Sequence, residues 1–133
     1  MADPATPRMA RLDAVRVLAR PDALDALPTW PDAIALRLAD DDLLLIGPPA
    51  DTPQPDDPDA VVERDTGFAV LRLDASEAAR VLTRHADWPL PVERPALVLG
   101  PVAGIPCRIL LRPDDALLVV HAGLAFELER RLP

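Results

Sequence analysis

The sequence predicts an α+β protein in which an antiparallel sheet of hairpins carries two helices on one face. Pairs of short apolar segments flank acidic turns, which is the pattern of β-hairpins. Two other segments place apolar residues at helical spacing. The chain has 133 residues, of which 50% are hydrophobic, enough to fill one core. We expect residues 1–29 to be a partly ordered N-terminal extension and residues 30–133 to form a single domain.

The first hairpin is predicted between residues 33 and 46. Residues 33–38 and 43–46 are its two apolar strands, and Asp40-Asp41-Asp42 is the turn between them. The proline-rich loop 47–59 follows this hairpin. Its five prolines remove amide donors and fix φ, so neither a helix nor a central strand can continue there.

A second hairpin is predicted at residues 60–73, around the turn Asp65-Thr66-Gly67. A helix follows it, and either Asp74 or Ser76 can accept hydrogen bonds from the free amides at its start. Glu77 lies in the first turn, where the positive end of the helix dipole favours a carboxylate. The residues at helical spacing that follow are Ala78, Val81, Leu82 and His85.

The remainder of the chain is expected to hold a proline-rich connection, a third hairpin and a terminal helix. Trp88-Pro89-Leu90-Pro91 ends the preceding helix, because proline cannot continue it. The connection runs through Pro95 and Pro101. The elements after it are a strand at 105–111, a turn at Pro113-Asp114-Asp115, a strand at 116–120 and a helix at 123–132. The acidic turns at 40–42 and 114–115 suggest that two of the hairpins are structurally similar.

The composition excludes several classes of function. A net charge of −8 repels phosphate groups, so nucleic-acid binding is disfavoured. A single cysteine, Cys107, rules out an internal disulfide and is typical of a reducing compartment. Charged residues interrupt every apolar segment of the N-terminus, and no segment approaches 18 apolar residues, so neither a secretory signal nor a membrane span is expected. These features predict a cytoplasmic protein.

No set of residues with the pattern of a catalytic site is found, and we predict no catalytic residue. Ser76 is the only serine, and it lacks the glycines of a nucleophile elbow, so a capping role at a helix start is favoured. Cys107 lies in an apolar strand, which favours a buried structural role over a thiolate nucleophile. His85 is expected at a helix C-terminus. His121 is left open between a contact role and a structural one.

Metal and cofactor sites are not predicted either. The acidic turns lack the glycine and the closing glutamate of a calcium loop, so solvated carboxylates are the simpler interpretation. Two histidines and one cysteine make a zinc site improbable. The five glycines are scattered along the chain, so none of them forms a phosphate-binding loop.

Outward-facing arginines on the predicted strands are candidates for an interface. Arg37, Arg72 and Arg108 have this position, and His121 joins them as a candidate contact residue. Arginine is enriched at interfaces because its planar guanidinium pairs with carboxylates through two hydrogen bonds. The competing interpretation is a plain solvated strand face, since exposed arginines are common.

The order of these segments resembles the gamma subunits of sarcosine oxidase. Leu38–Gly47 is similar to the family's "L-G-P-D-E-W-L-L-L" segment, and residues 61–73 are similar to its "V-V-D-V-S-H … A-L-R-L-S-G" strand pair. Residues 78–82 fit its "A-R-E-V-L" helix. Residues 107–111 and 117–121 resemble the paired strands before its terminal helix. The resemblance covers residues 30–132, and the proline-rich loop is where the chain departs most from the family.

This resemblance implies a ferredoxin-like or GcvT-like sandwich, related to a fragment of the folate-binding aminomethyltransferase fold. It implies a non-catalytic accessory subunit of a heterotetrameric enzyme that demethylates sarcosine, with flavin, NAD and folate bound by the larger subunits. The partner would be a large alpha-type subunit, a homodimer is an option for the isolated chain, and the chain itself would bind no cofactor. The alternative hypothesis is a stand-alone folate- or ligand-binding domain that acts as a homodimer, with Arg72, Arg108 or His121 facing the carboxylates of the ligand.

Overall fold

A computed structural model describes residues 9–11, 13–30, 33–47 and 52–132. The described residues divide into two compact units. The N-terminal unit comprises those within Leu12–Thr66, and the C-terminal unit comprises those within Met1–Arg11 and Gly67–Pro133. Nine strands and three α-helices are described, together with a short 3-10 helix at Ala122–Leu124. They are β1 Ala10–Arg11, β2 Ala14–Leu18, α1 Pro21–Asp25, β3 Ile34–Ala39, β4 Asp42–Ile46, β5 Val61–Asp65, β6 Phe68–Asp74, α2 Ala75–His85, β7 Ala96–Val102, β8 Ile105–Leu111, β9 Asp115–His121 and α3 Ala125–Arg131.

The N-terminal unit is built on a four-stranded antiparallel sheet in the order β3-β4-β2-β5. Strand β4 is buried along its whole length, as its Leu43-Leu44-Leu45-Ile46 segment requires. Helix α1 contributes Leu24 to a cluster with Val17 and Leu45, so it packs on one face of this sheet.

The C-terminal unit is built on a five-stranded antiparallel sheet in the order β1-β6-β9-β8-β7. Its core joins Leu71, Ile109 and Leu118 of three neighbouring strands to Val81 of α2 and Leu128 of α3. The strand residues of this core share one face of the sheet, because they are direct partners in the register or lie an even number of residues apart. The structure therefore confirms the α+β class with two helices on one face of an antiparallel sheet.

Two of the predicted hairpins are confirmed, and one is wrong. Strands β3 and β4 pair across Asp40-Asp41, and β8 pairs with β9 across residues 112–114. Strands β5 and β6 do not pair with each other: β5 pairs with β2, whereas β6 pairs with β9 and β1. The turn chemistry at Asp65-Thr66-Gly67 suits a hairpin, but apolar alternation does not specify which strand is the partner.

Strand β7 was predicted as a proline-rich connection and is instead a full strand. Pro101 lies opposite Pro106 of β8. The sheet tolerates this pair because β7 is an edge strand and these two positions do not exchange hydrogen bonds with each other.

Two further predictions concern regions that are only partly described. Residues 52–59 of the proline-rich loop contain neither helix nor strand, and residues 48–51 lie outside the described residues. The predicted division at residue 30 stays a prediction, although β2 and α1 precede it.

The start of helix α2 distinguishes between the two predicted capping residues. The Asp74 carboxylate accepts a hydrogen bond from the Glu77 amide at 2.8 Å, and the Glu77 side chain accepts one from the Asp74 amide. The Ser76 hydroxyl donates to the same Asp74 carboxylate at 3.0 Å. Asp74 is therefore the cap, and Ser76 supports it.

None of the helices described is long and apolar enough to cross a membrane.

Candidate functional site

Each acidic turn places one buried aspartate at the start of a buried strand. Asp42 begins β4 and accepts hydrogen bonds from Arg16, with Nε to Oδ1 at 2.9 Å and Nη2 to Oδ2 at 2.5 Å. Asp115 begins β9 and accepts from Arg112 at 2.6 Å through both Nε and Nη2. Arg72 Nε adds a third bond to Asp115 at 2.8 Å. The expected similarity of the two turns is therefore a shared arrangement of a buried carboxylate held by guanidinium groups.

The Asp115 carboxylate is held in the ionised form. Hydrogen bonds from Arg112 and then from Arg72 lower the pKa of Asp115 below its usual range, against the opposing effect of burial. The hydrogen bond with Asp42 is the main cause that raises the pKa of Arg16. A carboxylate with a lowered pKa and its oxygens already bonded is a poor general base. The arrangement stabilises strand starts and has no geometry for proton transfer.

The other chemically reactive side chains also have structural surroundings. Cys107 is 1% exposed in β8, and burial raises the pKa of its thiol to about 11. A thiol with this pKa is a weak nucleophile at neutral pH. His85 ends α2, as predicted, and its Nε2 is buried without a hydrogen-bond partner among the described residues. Within the part of the chain that the structure describes, no three His, Cys, Asp or Glu side chains cluster to hold a metal ion.

Three of the four candidate interface residues already have contacts within their own unit. Arg37 pairs with Asp25 at 3.0 Å and donates to the backbone carbonyl of Asp40 at 2.8 Å. Arg72 pairs with Asp115, although its side chain is 67% exposed. The exposed His121 ring stacks on Phe68 with 5.2 Å between ring centroids. The guanidinium groups of Arg37 and Arg72 thus have polar partners within their units, and the His121 ring has an aromatic one.

Arg108 differs from these three. It lies in the middle of β8, partly exposed, and none of the described residues forms a hydrogen bond or an ion pair with its guanidinium. Its partner in the register is Leu99 of β7, and its partner on the other side is Val119 of β9. Arg108 is thus a cation whose direct cross-strand neighbours are apolar.

The surroundings of Arg108 form an exposed apolar surface. Leu97 and Leu99 alternate outward along β7 and are 38% and 67% exposed. Across the register Leu97 faces Leu110, Leu99 faces Arg108, and Pro101 faces Pro106. We call this surface the outer face; it consists of Leu97, Leu99, Pro101, Pro106, Arg108 and Leu110. It lies on the side of the sheet opposite to α2 and α3, because these residues alternate with core residues such as Cys107 and Ile109.

A tight turn determines the register of the outer face. Ala103 and Gly104 connect β7 to β8, and both have positive φ, at 52° and 80°. A two-residue turn with both φ values positive is a type I′ turn, which matches the twist of a hairpin. The pairing of Val102 with Ile105 then sets every later pair, including Leu99 with Arg108.

Sequence reasoning identified Arg108 but missed Leu97 and Leu99. Their segment was predicted as a connection because Pro95 and Pro101 flank it. Two signals favoured a strand: the apolar segment Ala96-Leu97-Val98-Leu99, and a two-residue connection ending in glycine before Ile105.

Comparison with the models of known families and with curated proteins identifies no relative. No model of a known protein family matches the chain. No curated protein matches it either. The resemblance to sarcosine oxidase gamma subunits therefore depends on the short segments and on their order along the chain.

Proposed function

We propose that this chain is a non-catalytic accessory subunit that docks on a larger protein through the outer face. The observation that carries the proposal is Arg108, a cation that no described residue pairs with, set among exposed leucines and prolines. Large exposed apolar patches are typical of interaction sites. An arginine within such a patch pairs well with a carboxylate of the partner. The partner surface is therefore apolar and carries an acidic side chain opposite Arg108.

The particular assembly that we propose is a heterotetrameric sarcosine oxidase in the cytoplasm, with this chain as its gamma-like subunit. The order of elements in the C-terminal unit supports it: β6 is followed by α2, and the β8–β9 pair is followed by α3. The family segments come in the same order along the chain. In this assembly the larger subunits bind the flavin and oxidise sarcosine, and this chain supports them by packing on the alpha-type subunit.

Co-expression with the large alpha-type subunit of a sarcosine oxidase from the same host tests the proposal. We expect a stable complex on size-exclusion chromatography and sarcosine-dependent oxygen consumption by the assembled enzyme. We expect the isolated chain to have no flavin absorbance and no sarcosine oxidation.

Charge variants locate the docking surface. Leu99→Glu and Arg108→Glu are each expected to lower the yield of the complex at least tenfold, roughly the loss of one well-buried contact. Phe126→Glu is the matched control, because Phe126 is an apolar side chain that is 76% exposed on α3, away from the outer face. A complex that forms equally well with all three variants would refute the outer face as the docking surface.

Titration with tetrahydrofolate distinguishes the alternative hypothesis. The accessory-subunit proposal predicts no heat of binding to the isolated chain at high micromolar ligand. Saturable heat, together with failure to bind the alpha-type subunit, would support a stand-alone folate-binding domain instead.

A further inference from the structure

Strand β7 ends its sheet, and half of its backbone groups point away from β8. In the type I′ turn at 103–104, Val102 and Ile105 form a hydrogen-bonded pair. Hydrogen-bonded and non-hydrogen-bonded pairs alternate along an antiparallel ladder. The Leu99–Arg108 and Leu97–Leu110 pairs are therefore non-hydrogen-bonded. It follows that the N–H and C=O groups of Leu97 and Leu99 point outward from the free edge.

The edge beyond Leu99 is already closed. By the same alternation, the backbone of Pro101 faces the free edge, but proline has no N–H to offer there. The Pro101 carbonyl accepts a hydrogen bond from the Trp88 indole at 2.8 Å. The Trp88 ring lies against Gly100, where a side chain would meet it at 2.3 Å. At the other end, Pro95 precedes the strand and also lacks an N–H. The open part of the edge is thus the Leu97-Val98-Leu99 backbone.

We infer that this open edge pairs antiparallel with β7 of a second copy of the chain, with Leu97 of each copy opposite Leu99 of the other. This register forms four hydrogen bonds and uses every outward N–H and C=O of both leucines. It places Pro95 opposite Pro101, and because neither proline has an N–H, no backbone donor is left without a partner at these two positions. Two neighbouring registers are less favourable. A shift of two residues in one direction sets Leu97 opposite Pro101, whose carbonyl already has a hydrogen bond. A shift of two residues in the other direction sets Leu99 opposite Pro95, which lies outside the strand and has no N–H.

A second copy suits this edge better than a charged strand would. β7 contains no charged residue, so two copies meet without like charges at the edge. Leu97 and Leu99 of the two copies become direct cross-strand neighbours on the outer face, an arrangement that stabilises antiparallel pairs. The contact is isologous and closes with two-fold symmetry, so it produces a dimer rather than a fibre.

The inference does not depend on the proposed function. Pairing uses the backbone edge, whereas the proposed docking uses the side chains of the outer face. Dimerisation is measured on the isolated chain and docking on the co-expressed complex. Either can fail while the other holds.

Sedimentation equilibrium of the isolated chain tests the pairing. The 14.4 kDa chain is expected to form a concentration-dependent dimer. Leu99→Pro removes one outward N–H from each copy and leaves the β7–β8 ladder intact, because that N–H does not face β8. It should weaken dimerisation at least about tenfold, roughly what two lost hydrogen bonds imply. Leu99→Thr keeps the N–H and alters only the two cross-strand side-chain contacts, so it should weaken dimerisation less than Leu99→Pro does.

Disulfide trapping tests the register and does not require a proline variant to fold. In the inferred register, residues 97 and 99 of opposite copies have Cα atoms about 5.5 Å apart, within disulfide range. Two copies of residue 97, or two of residue 99, are more than about 7 Å apart. We expect the double variant Leu97→Cys/Leu99→Cys to form a covalent dimer on mild oxidation, and each single variant to remain monomeric on a non-reducing gel. The buried Cys107 does not compete.

Three results would overturn the inference. The first is a chain that stays monomeric at millimolar concentration. The second is dissociation of the dimer by Leu99→Thr as strongly as by Leu99→Pro, which would indicate side-chain packing instead of strand pairing. The third is cross-linking of the single-cysteine variants as efficient as that of the double variant.

Discussion

The two sheets of this protein end in different kinds of edge. Strand β5 of the N-terminal unit carries Glu63, Arg64 and Asp65, and Arg64 pairs with Asp13 at 3.3 Å. Strand β7 of the C-terminal unit has no charge and exposes Leu97 and Leu99. Charged residues on an edge strand prevent pairing with other chains, whereas an apolar edge allows it. The difference indicates that β5 is protected from association and that β7 is available for it.

The interiors of the sheets are more alike than the edges. Each has a central strand that begins with an aspartate bonded to arginine: Asp42 in β4, which is buried throughout, and Asp115 in β9, which is buried as far as Val120. Changes in the interiors should therefore alter stability in a parallel way. Changes at the edges should mainly alter association.

The largest expected effect on stability comes from adding a side chain at Gly100, against the Trp88 ring. In Gly100→Ala the new Cβ would lie 2.3 Å from the Trp88 ring, so the indole must move and lose its bond to Pro101. We expect the free energy of unfolding to fall by about 3 kcal/mol, at the upper end of overpacking effects. Urea unfolding followed by circular dichroism measures this change.

Gly123→Ala is the control for this prediction, because nothing lies within 4 Å of the position of its new Cβ. It should change stability by less than about 0.5 kcal/mol. Equal effects of the two variants would show that Trp88 does not hold the edge at Gly100.

A smaller effect is expected from the buried aspartates. Asp115→Asn removes a carboxylate bonded by two arginines, and we expect a loss of about 2 kcal/mol at pH 7, reduced because both arginines reach solvent. Asp42→Asn is the matched variant in the other sheet and should cost about 1 kcal/mol, since one arginine bonds Asp42. A larger loss for Asp42→Asn than for Asp115→Asn would contradict this ranking.

The loss at Asp115 should depend on pH in a defined direction. The pKa of Asp115 is lowered in the folded protein, so its stabilisation is complete above its unfolded pKa of about 4 and disappears as the pH falls through the folded value. The stability difference between the wild-type protein and Asp115→Asn should thus shrink from pH 7 to pH 3. Unfolding midpoints at the two pH values measure it, and a constant difference would argue against an ionised, bonded carboxylate.

The smallest effect on stability, but the sharpest test of the comparison, comes from removing the charges of β5. Glu63→Val with Arg64→Val should change the free energy of unfolding by less than about 0.5 kcal/mol, because both side chains are exposed. It should create a second site of self-association, seen as species larger than a dimer by light scattering. The control is Ala79→Val with Thr83→Val, which adds apolar surface to the exposed side of α2. A helix side offers no free backbone N–H groups for strand pairing, so this variant should not form species larger than a dimer.

Local signals predicted the local parts of the fold. The hairpins β3–β4 and β8–β9 join neighbouring segments across short acidic turns, and the cap of α2 lies within four residues. The pairings of β5 with β2 and of β6 with β9 join segments more than 40 residues apart, and alternation alone cannot select such partners.

The candidate site was predictable to a similar degree. Alternation along residues 105–111 placed Arg108 outward, as the structure has it. The isolation of its guanidinium depends on Leu99 and Val119, which come from strands on either side. Sequence reasoning missed strand β7 because Pro101 favours a loop. Proline is excluded from a strand only where its N–H would have to bond to a neighbouring strand, and on the free side of an edge strand no such bond is needed.

The burial of Cys107 has a practical consequence for following motion in this protein. The only thiol of the chain lies in β8, one strand in from the edge, 1% exposed and with a pKa of about 11. A thiol reagent reaches it only when this part of the sheet opens. The rate at which the reagent labels Cys107 in the native protein therefore measures how often the β7–β8 hairpin opens. A second copy or a partner bound at β7 should slow this rate, so binding can be followed in the unmodified sequence.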